Sequence, residues 1–250
     1  MLATLSAETG TSPAALTAAA VTLCAMPPPE PRPDLVRRYW GRQPSVAAIS
    51  FGRGAVVSAT ASLTETVARV FAGASRDQVF EPARLAALDT ALRPHGQQVY
   101  GPYPRLLCGR DTLRRREAPP GIEVALEVAP PEARIETLEP TRWPNAISPR
   151  RSVPTAALAV ATSGDAIAGV AAASTDNALL WQIGIDVAQP HQGRGVGAAL
   201  TATLARHILE ASGVPFYGAA TVNLPSISTA IAAGFRLAWM EAFSAPAGRW

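Results

Sequence analysis

The chain has 250 residues, enough to bury a substantial core as one large domain or two ordinary ones. With 48% apolar and 16% charged residues it is too apolar for a disordered chain, and its formal excess of +3 comes from arginine alone, since the sequence holds no lysine. A nucleic-acid binder would cluster its cations on one element; here the largest run, Arg114 to Arg116, sits beside Glu117 and a Pro-Pro turn and reads as a solvated loop.

The N-terminal apolar stretch, Ala14 to Met26, is too short to span a bilayer and no Lys or Arg precedes it as a signal peptide requires, so a cytoplasmic chain without membrane association is expected. Pro13 opens an Ala-rich run to Ala25 that predicts a helix, stopped by Pro27, Pro28 and Pro29. Cys24 and Cys108 have no second Cys or His at ligand spacing, so no metal site is expected, while a disulfide is left open.

From Ser45 to Thr60, β-branched residues around Gly52 and Gly54 predict a hairpin. Ser62 and Glu65 have the spacing of a capping box, introducing a helix with Val67, Val70 and Phe71 on one side. A second helix is predicted over Pro82 to Leu92, with Leu85, Leu88 and Leu92 on its core face and a stop at Pro94 to Gly96. Val99 to Leu107 reads as a strand or an extended crossing segment. Four prolines and a charge cluster between Arg114 and Pro131 mark a domain boundary near residue 117: residues 1–117 form a smaller α/β lobe of unread role, and residues 118–250 a mixed α/β domain.

Beyond the boundary, Ala156 to Ala161 and Ala166 to Ser174 flank Ser163-Gly164-Asp165 as an antiparallel hairpin, and Trp181 to Val187 is a third strand. A Gly-rich loop then leads to a helix over Val196 to Ser212, a strand over Pro215 to Val222, a helix over Ser226 to Ala233 and a last strand from Phe235, which is a hairpin followed by a βαβ unit.

The loop is the chemical signal. In Gln192-Gly193-Arg194-Gly195-Val196-Gly197, small residues let backbone approach a ligand, and successive amides at the positive end of an uncapped helix can cradle a pyrophosphate. A dinucleotide fold fits poorly, because Ala188 to Gln192 intervene between strand and glycines and no acidic residue ends a second strand about 20 residues on. A P-loop is excluded by the absence of lysine.

The pattern resembles the GNAT superfamily of N-acetyltransferases, whose signature is Arg or Gln, two residues, Gly, one residue, then Gly or Ala; Gln192, Gly195 and Gly197 match it. The strand Ile183 to Val187 enters the loop as in that family, and Asn223 stands eleven residues before Gly234-Phe235. Arg142-Trp143-Pro144-Asn145-Ala146-Ile147 and Trp181 to Val187 resemble a bacterial subgroup with an extra N-terminal region. The resemblance implies the GNAT acyl-CoA N-acyltransferase fold, acetyl-CoA as co-substrate and no metal. It also implies pantetheine pairing with the backbone at Ile185 and Val187, pyrophosphate on the amides of Gln192, Gly193, Arg194, Gly195, Val196 and Gly197, and help from Asn223 and Ser226. The position of Asn223 before Leu224-Pro225 also permits the N-cap of the helix that follows.

Catalytic groups are weakly marked. Strand alternation puts Trp181, Ile183, Ile185 and Val187 on one face with no carboxylate among them, and Asp186 on the other. The family's usual tyrosine, seven residues after the Asn, is Ala230 here, so Tyr217 is the substitute candidate for meeting the thiolate. Two functions follow from different classes: an acetyltransferase acting in a ternary complex on a small-molecule or protein amine, or a catalytically degenerate CoA-binding sensor or structural protein. Acceptor, acyl length and oligomeric state are not encoded in any feature of the sequence.

Overall fold

A computed structural model describes residues 21–25, 45–148, 153–175 and 179–247. In chain order the elements are β1 (Val21–Ala25), β2 (Val46–Ser50), β3 (Ala55–Ala59), α1 (Thr64–Phe71), α2 (Pro82–Leu92), β4 (Gln97–Leu107), β5 (Glu123–Val128), α3 (Glu132–Glu136), β6 (Thr155–Ser163), β7 (Ala166–Thr175), β8 (Leu180–Val187), α4 (Val196–Glu210), β9 (Val214–Gly218), α5 (Leu224–Ala233) and β10 (Arg236–Pro246). The class is mixed α/β, as the sequence predicts.

Of the described residues, 21–25, 45–105 and 238–247 make one compact unit and 106–237 the other. The compact units divide between Arg105 and Leu106, and the last strand belongs with the N-terminal unit. The start of the Pro-rich stretch is bonded into the second unit: the Arg114 amide donates to the Ala233 carbonyl at 3.0 Å and Arg116 Nε to the Ala232 carbonyl at 2.7 Å.

In the first unit the strand order is β1-β3-β2-β10-β4. The predicted hairpin is β2 and β3, paired antiparallel from Val46↔Ala59 to Ser50↔Ala55. Val57, Leu63, Val67, Phe71, Leu88 and Leu92 are among the buried residues that close α1 and α2 over it. Two local expectations are corrected. Residues 21–25 of the predicted Ala-rich helix are instead a strand, parallel to β3 from Val21↔Ala55 to Ala25↔Ala59, since this end of the run is Val-Thr-Leu-Cys-Ala, whose β-branched residues suit a strand once a sheet edge offers pairing; residues 14–20 lie outside the described residues. The Ser62 and Glu65 box is not formed, because Ala61–Leu63 is a 3₁₀ turn closed by the Leu63 amide on the Thr60 carbonyl, so α1 starts later with Leu63 as its cap residue.

In the second unit the order is β9-β8-β7-β6-β5. β6 and β7 form the predicted hairpin around Gly164, whose φ of 57° makes the turn. Alternation sorts the sheet's two faces. Ala157, Ala159 and Ala161 of β6, with Ala171 and Ala173 of β7, meet α4 through Val196, Leu200, Leu204 and Ile208; these small residues let the helix lie close. On the other face Leu158, Val160 and Val170 pack with Ile135, Trp143 and Ile147. β5 is an edge strand in which Val124, Leu126 and Val128 alternate with Glu123, Ala125 and Glu127, yet most of its side chains are exposed, Leu126 and Val128 among them. No described helix is long and apolar enough to cross a membrane.

Candidate functional site

The βαβ unit β8-α4-β9 builds the site. β8 and β9 run parallel but pair only at Leu180↔Val214, Trp181↔Pro215 and Gln182↔Phe216. Beyond Gln182 the strands part. β8 continues to Val187 held by β7 alone, from Ile183↔Ala173 to Val187↔Gly169, while β9 ends at Gly218. An edge of β8 is thereby left without its parallel neighbour over Ile183 to Val187, the place where an extended chain can add its own backbone partners.

At the end of that edge the chain turns through Gln189–His191, a 3₁₀ turn, into the glycine loop. The Gln192 side chain donates through Nε2 to the Val187 carbonyl at 2.9 Å, so it staples the base of the loop and acts on the loop's shape. Gly193 and Gly195 take φ of 72° and 91°, which L side chains rarely adopt. The first intrahelical bond of α4 runs from the Ala199 amide to the Gly195 carbonyl at 3.1 Å. Among the described residues, none of the amides from Gly193 through Ala198 makes a hydrogen bond of ordinary geometry. They lie at the positive end of a 15-residue helix that has no side-chain cap. Donors left open in this way suit an anion.

Packing explains the last glycine of the motif. A Cβ on Gly197 would lie 3.2 Å from Thr229 Cγ2 of α5 and 3.4 Å from Ile185 Cδ1, so the glycine lets α4 close on β8 and α5. Val196 is buried in the α4 core and offers only its amide to a ligand, whereas the Arg194 side chain is exposed.

The sequence profile of the Acetyltransferase (GNAT) family matches residues 124–235. Those residues form a GNAT domain. Among solved structures the chain is similar to a GCN5-related N-acetyltransferase from Kribbella flavida (17% identity, 63% of this chain and 62% of that one, TM-score 0.47). It is also similar to a GCN5-related N-acetyltransferase-like protein from Streptococcus suis 89/1591 (15%, 63% and 67%, 0.45) and to a GCN5-related N-acetyltransferase from Sphaerobacter thermophilus (18%, 65% and 56%, 0.46). The chain spans 56% to 67% of the length of these relatives. No curated protein matches it.

Within the GNAT domain the parity of β8 is as predicted. Ile183, Ile185 and Val187 face the α4 core, and Asp186 faces away. The Asp186 carboxylate accepts three hydrogen bonds, from the Asn145 amide (2.8 Å), Asn145 Nδ2 (2.6 Å) and the Ala146 amide (2.9 Å). Gly184, on the same face, is pressed so closely that a Cβ there would lie 1.9 Å from the Asn145 carbonyl oxygen. Asp186 thus anchors the turn that follows Trp143, and the Arg142 to Ile147 phrase is in the fold to be held by it. Spacing alone could not join positions 41 residues apart.

Asn223 is the N-cap of α5, its Oδ1 accepting from the Ser226 amide at 3.2 Å, so the capping reading is the one the geometry displays. Ser226 Oγ in turn lies 2.9 Å from the Tyr217 hydroxyl, at the first β9 residue beyond the paired stretch. Tyr217 is buried, edge-on to Phe235 at 5.7 Å, and burial pushes its phenol up to about 12, opposed by the Ser226 hydrogen bond and reinforced by the charge of Asp186. Ala230 points into the same core and is fully buried, so the position at which the resemblance places a tyrosine opens on packed side chains.

Proposed function

We propose that the GNAT domain is an N-acetyltransferase that moves an acetyl group from acetyl-CoA to an amine by direct transfer within a ternary complex. The observation that carries this reading is the row of open amides from Gly193 to Ala198, standing where β8 has parted from β9. These residues fit the cofactor: the amides suit a pyrophosphate, and the unpaired edge of Ile185 and Val187 suits the amide groups of a pantetheine arm. Acetyl-CoA would supply an activated thioester. The chain would supply position and backbone N–H dipoles for the carbonyl oxygen, a contribution independent of side-chain identity.

The acceptor is a small-molecule or protein amine, in the cytoplasm, with no role for nucleic acid, membrane or metal. The experiment is a thermal melt with acetyl-CoA and with NAD, followed by free-thiol release against a panel of amines. Acetyl-CoA at a hundredfold excess over its Kd should stabilise the fold by about 2.7 kcal/mol. A melt shifted by NAD and unmoved by acetyl-CoA would overturn the assignment.

A second reading, a CoA-binding sensor or structural protein that has lost turnover, is favoured by two observations. Asp186 is committed to the Asn145 turn, and Ala230 is buried where a phenol would be needed. Robust thiol release with any amine rejects it.

A further inference from the structure

We infer that the arginine strap Arg114–Arg116 binds the 3′-phosphate of coenzyme A, an inference that rests on the acyl-CoA reading above. The strap is held beside the glycine loop from both ends. On its near side, Pro119 Cγ lies 3.9 Å from the Cβ position of Gly195. On its far side, the Arg114 amide donates to the Ala233 carbonyl at 3.0 Å and Arg116 Nε to the Ala232 carbonyl at 2.7 Å, which fixes the strap to the end of α5. Gly234 has no room for a side chain, since a Cβ there would lie 2.1 Å from the Thr112 carbonyl oxygen, so strap and helix end are packed backbone to backbone.

That helix end is close to the cradle. Thr229 Cγ2 lies 3.2 Å from where a Cβ on Gly197 would stand, and Ala232 is three residues on, about 4.5 Å along the helix axis. The strap and the residues that follow it therefore run from the end of α5 to the glycine loop, which Pro119 meets at Gly195. Arg114 is exposed, and its guanidinium has no partner among the described residues. Among the described residues Arg115 pairs only with exposed Glu117, at 3.4 Å, and Arg194 adds a third exposed cation from the loop itself. Asp111 and Glu117 are the acidic residues that flank the strap.

The chemistry of the ligand matches. Open amides suffice for a pyrophosphate, but a phosphate monoester carries between one and two further negative charges at neutral pH and is best met by guanidinium groups. A solvated loop needs no such tether to α5.

The test is calorimetric titration of the full chain with coenzyme A and with 3′-dephospho-coenzyme A, for wild type and for the Arg114→Ala/Arg115→Ala double variant, which leaves Arg116 on α5. Wild type should prefer coenzyme A by about tenfold or more, and the double variant should bring both ligands to similar Kd by weakening coenzyme A alone. An unchanged melting temperature shows that the variant is folded. A preference retained in the double variant, or absent from wild type, overturns the proposal while the acyl-CoA reading stands. If folded wild type binds neither ligand, the acyl-CoA reading fails and the proposal with it.

Discussion

Gly195 shows how one residue joins backbone conformation to binding. Its φ of 91° is closed to most side chains, and the amides on either side of it are open. Gly195→Asp adds about 1–2 kcal/mol of left-handed strain and sets a carboxylate against the proposed pyrophosphate. The variant should fold and bind coenzyme A much more weakly, by calorimetric titration; unaltered affinity in a folded variant would remove the loop from the site. Tyr217 offers a test by pH. Its folded phenol ionises near 12 against an ordinary value near 10, so the folded state keeps a proton that the unfolded chain releases between these values. The stability it contributes is complete below pH 10 and is lost as pH rises towards 12, by roughly 3 kcal/mol in all. Tyr217→Phe should flatten this part of the stability profile in denaturant melts at pH 9 and pH 11. An equal decline in both proteins would show that other groups govern it.

Elements differ in how far sequence alone reveals them. α2 runs over Pro82–Leu92 as predicted, because proline at the start and Gly96 in the left-handed region after its end are local signals. The strands β6, β7 and β8 and both C-terminal helices are likewise written in local periodicity. β1 and β5 are not: the first lies at the end of an Ala-rich run and takes its conformation from pairing with β3, and the second is a short alternation, Glu123 to Val128, inside a Pro- and charge-rich stretch that reads as a boundary. The glycine motif was legible in the candidate site because its backbone conformation demands glycine. The Asp186 anchor and the Pro119 strap were not, since each joins residues that meet only through tertiary packing. Register along α5 decides a further case. Ala230 and Ala233 face the core, while Leu224 and Ile231 face outward. Ala230→Tyr must therefore insert a phenol among packed side chains, so it should lower the melting temperature, by overpacking of about 1–3 kcal/mol, and give no gain in thiol release. Increased turnover at unchanged stability would show that position 230 opens on the reacting atoms after all.

At the scale of the whole molecule, the N-terminal unit is discontinuous in sequence, built from residues before 106 and after 237. β10 pairs with β2 from Met240↔Ser50 to Phe243↔Ala47, and the Val46 amide donates to Ser244 Oγ at 2.9 Å. Phe243 lies 6.1 Å from Tyr100 and 5.9 Å from Tyr103 between ring centres. Beneath this apolar contact Arg105 Nε meets Glu241 Oε2 at 2.8 Å, with both side chains almost fully buried. Removing one member of such a pair leaves a buried charge unbalanced and costs about 3–5 kcal/mol, against a total domain stability of only about 5–15 kcal/mol. A chain ending at Leu237 loses that partner together with the β2 pairing and the Phe243 contacts. It should therefore lose the fold of residues 45–105, whereas the core around α4, which draws on no residue after 237, should survive. Limited proteolysis with mass spectrometry reads this directly: cleavage should concentrate between residues 45 and 105 in the truncated chain and be absent there in the full one. Glu241→Gln, which keeps shape and removes only the charge, should give intermediate protection. Protection of residues 45–105 in the truncated chain equal to that in the full chain would mean that the first unit draws its stability from β1 to β4 alone.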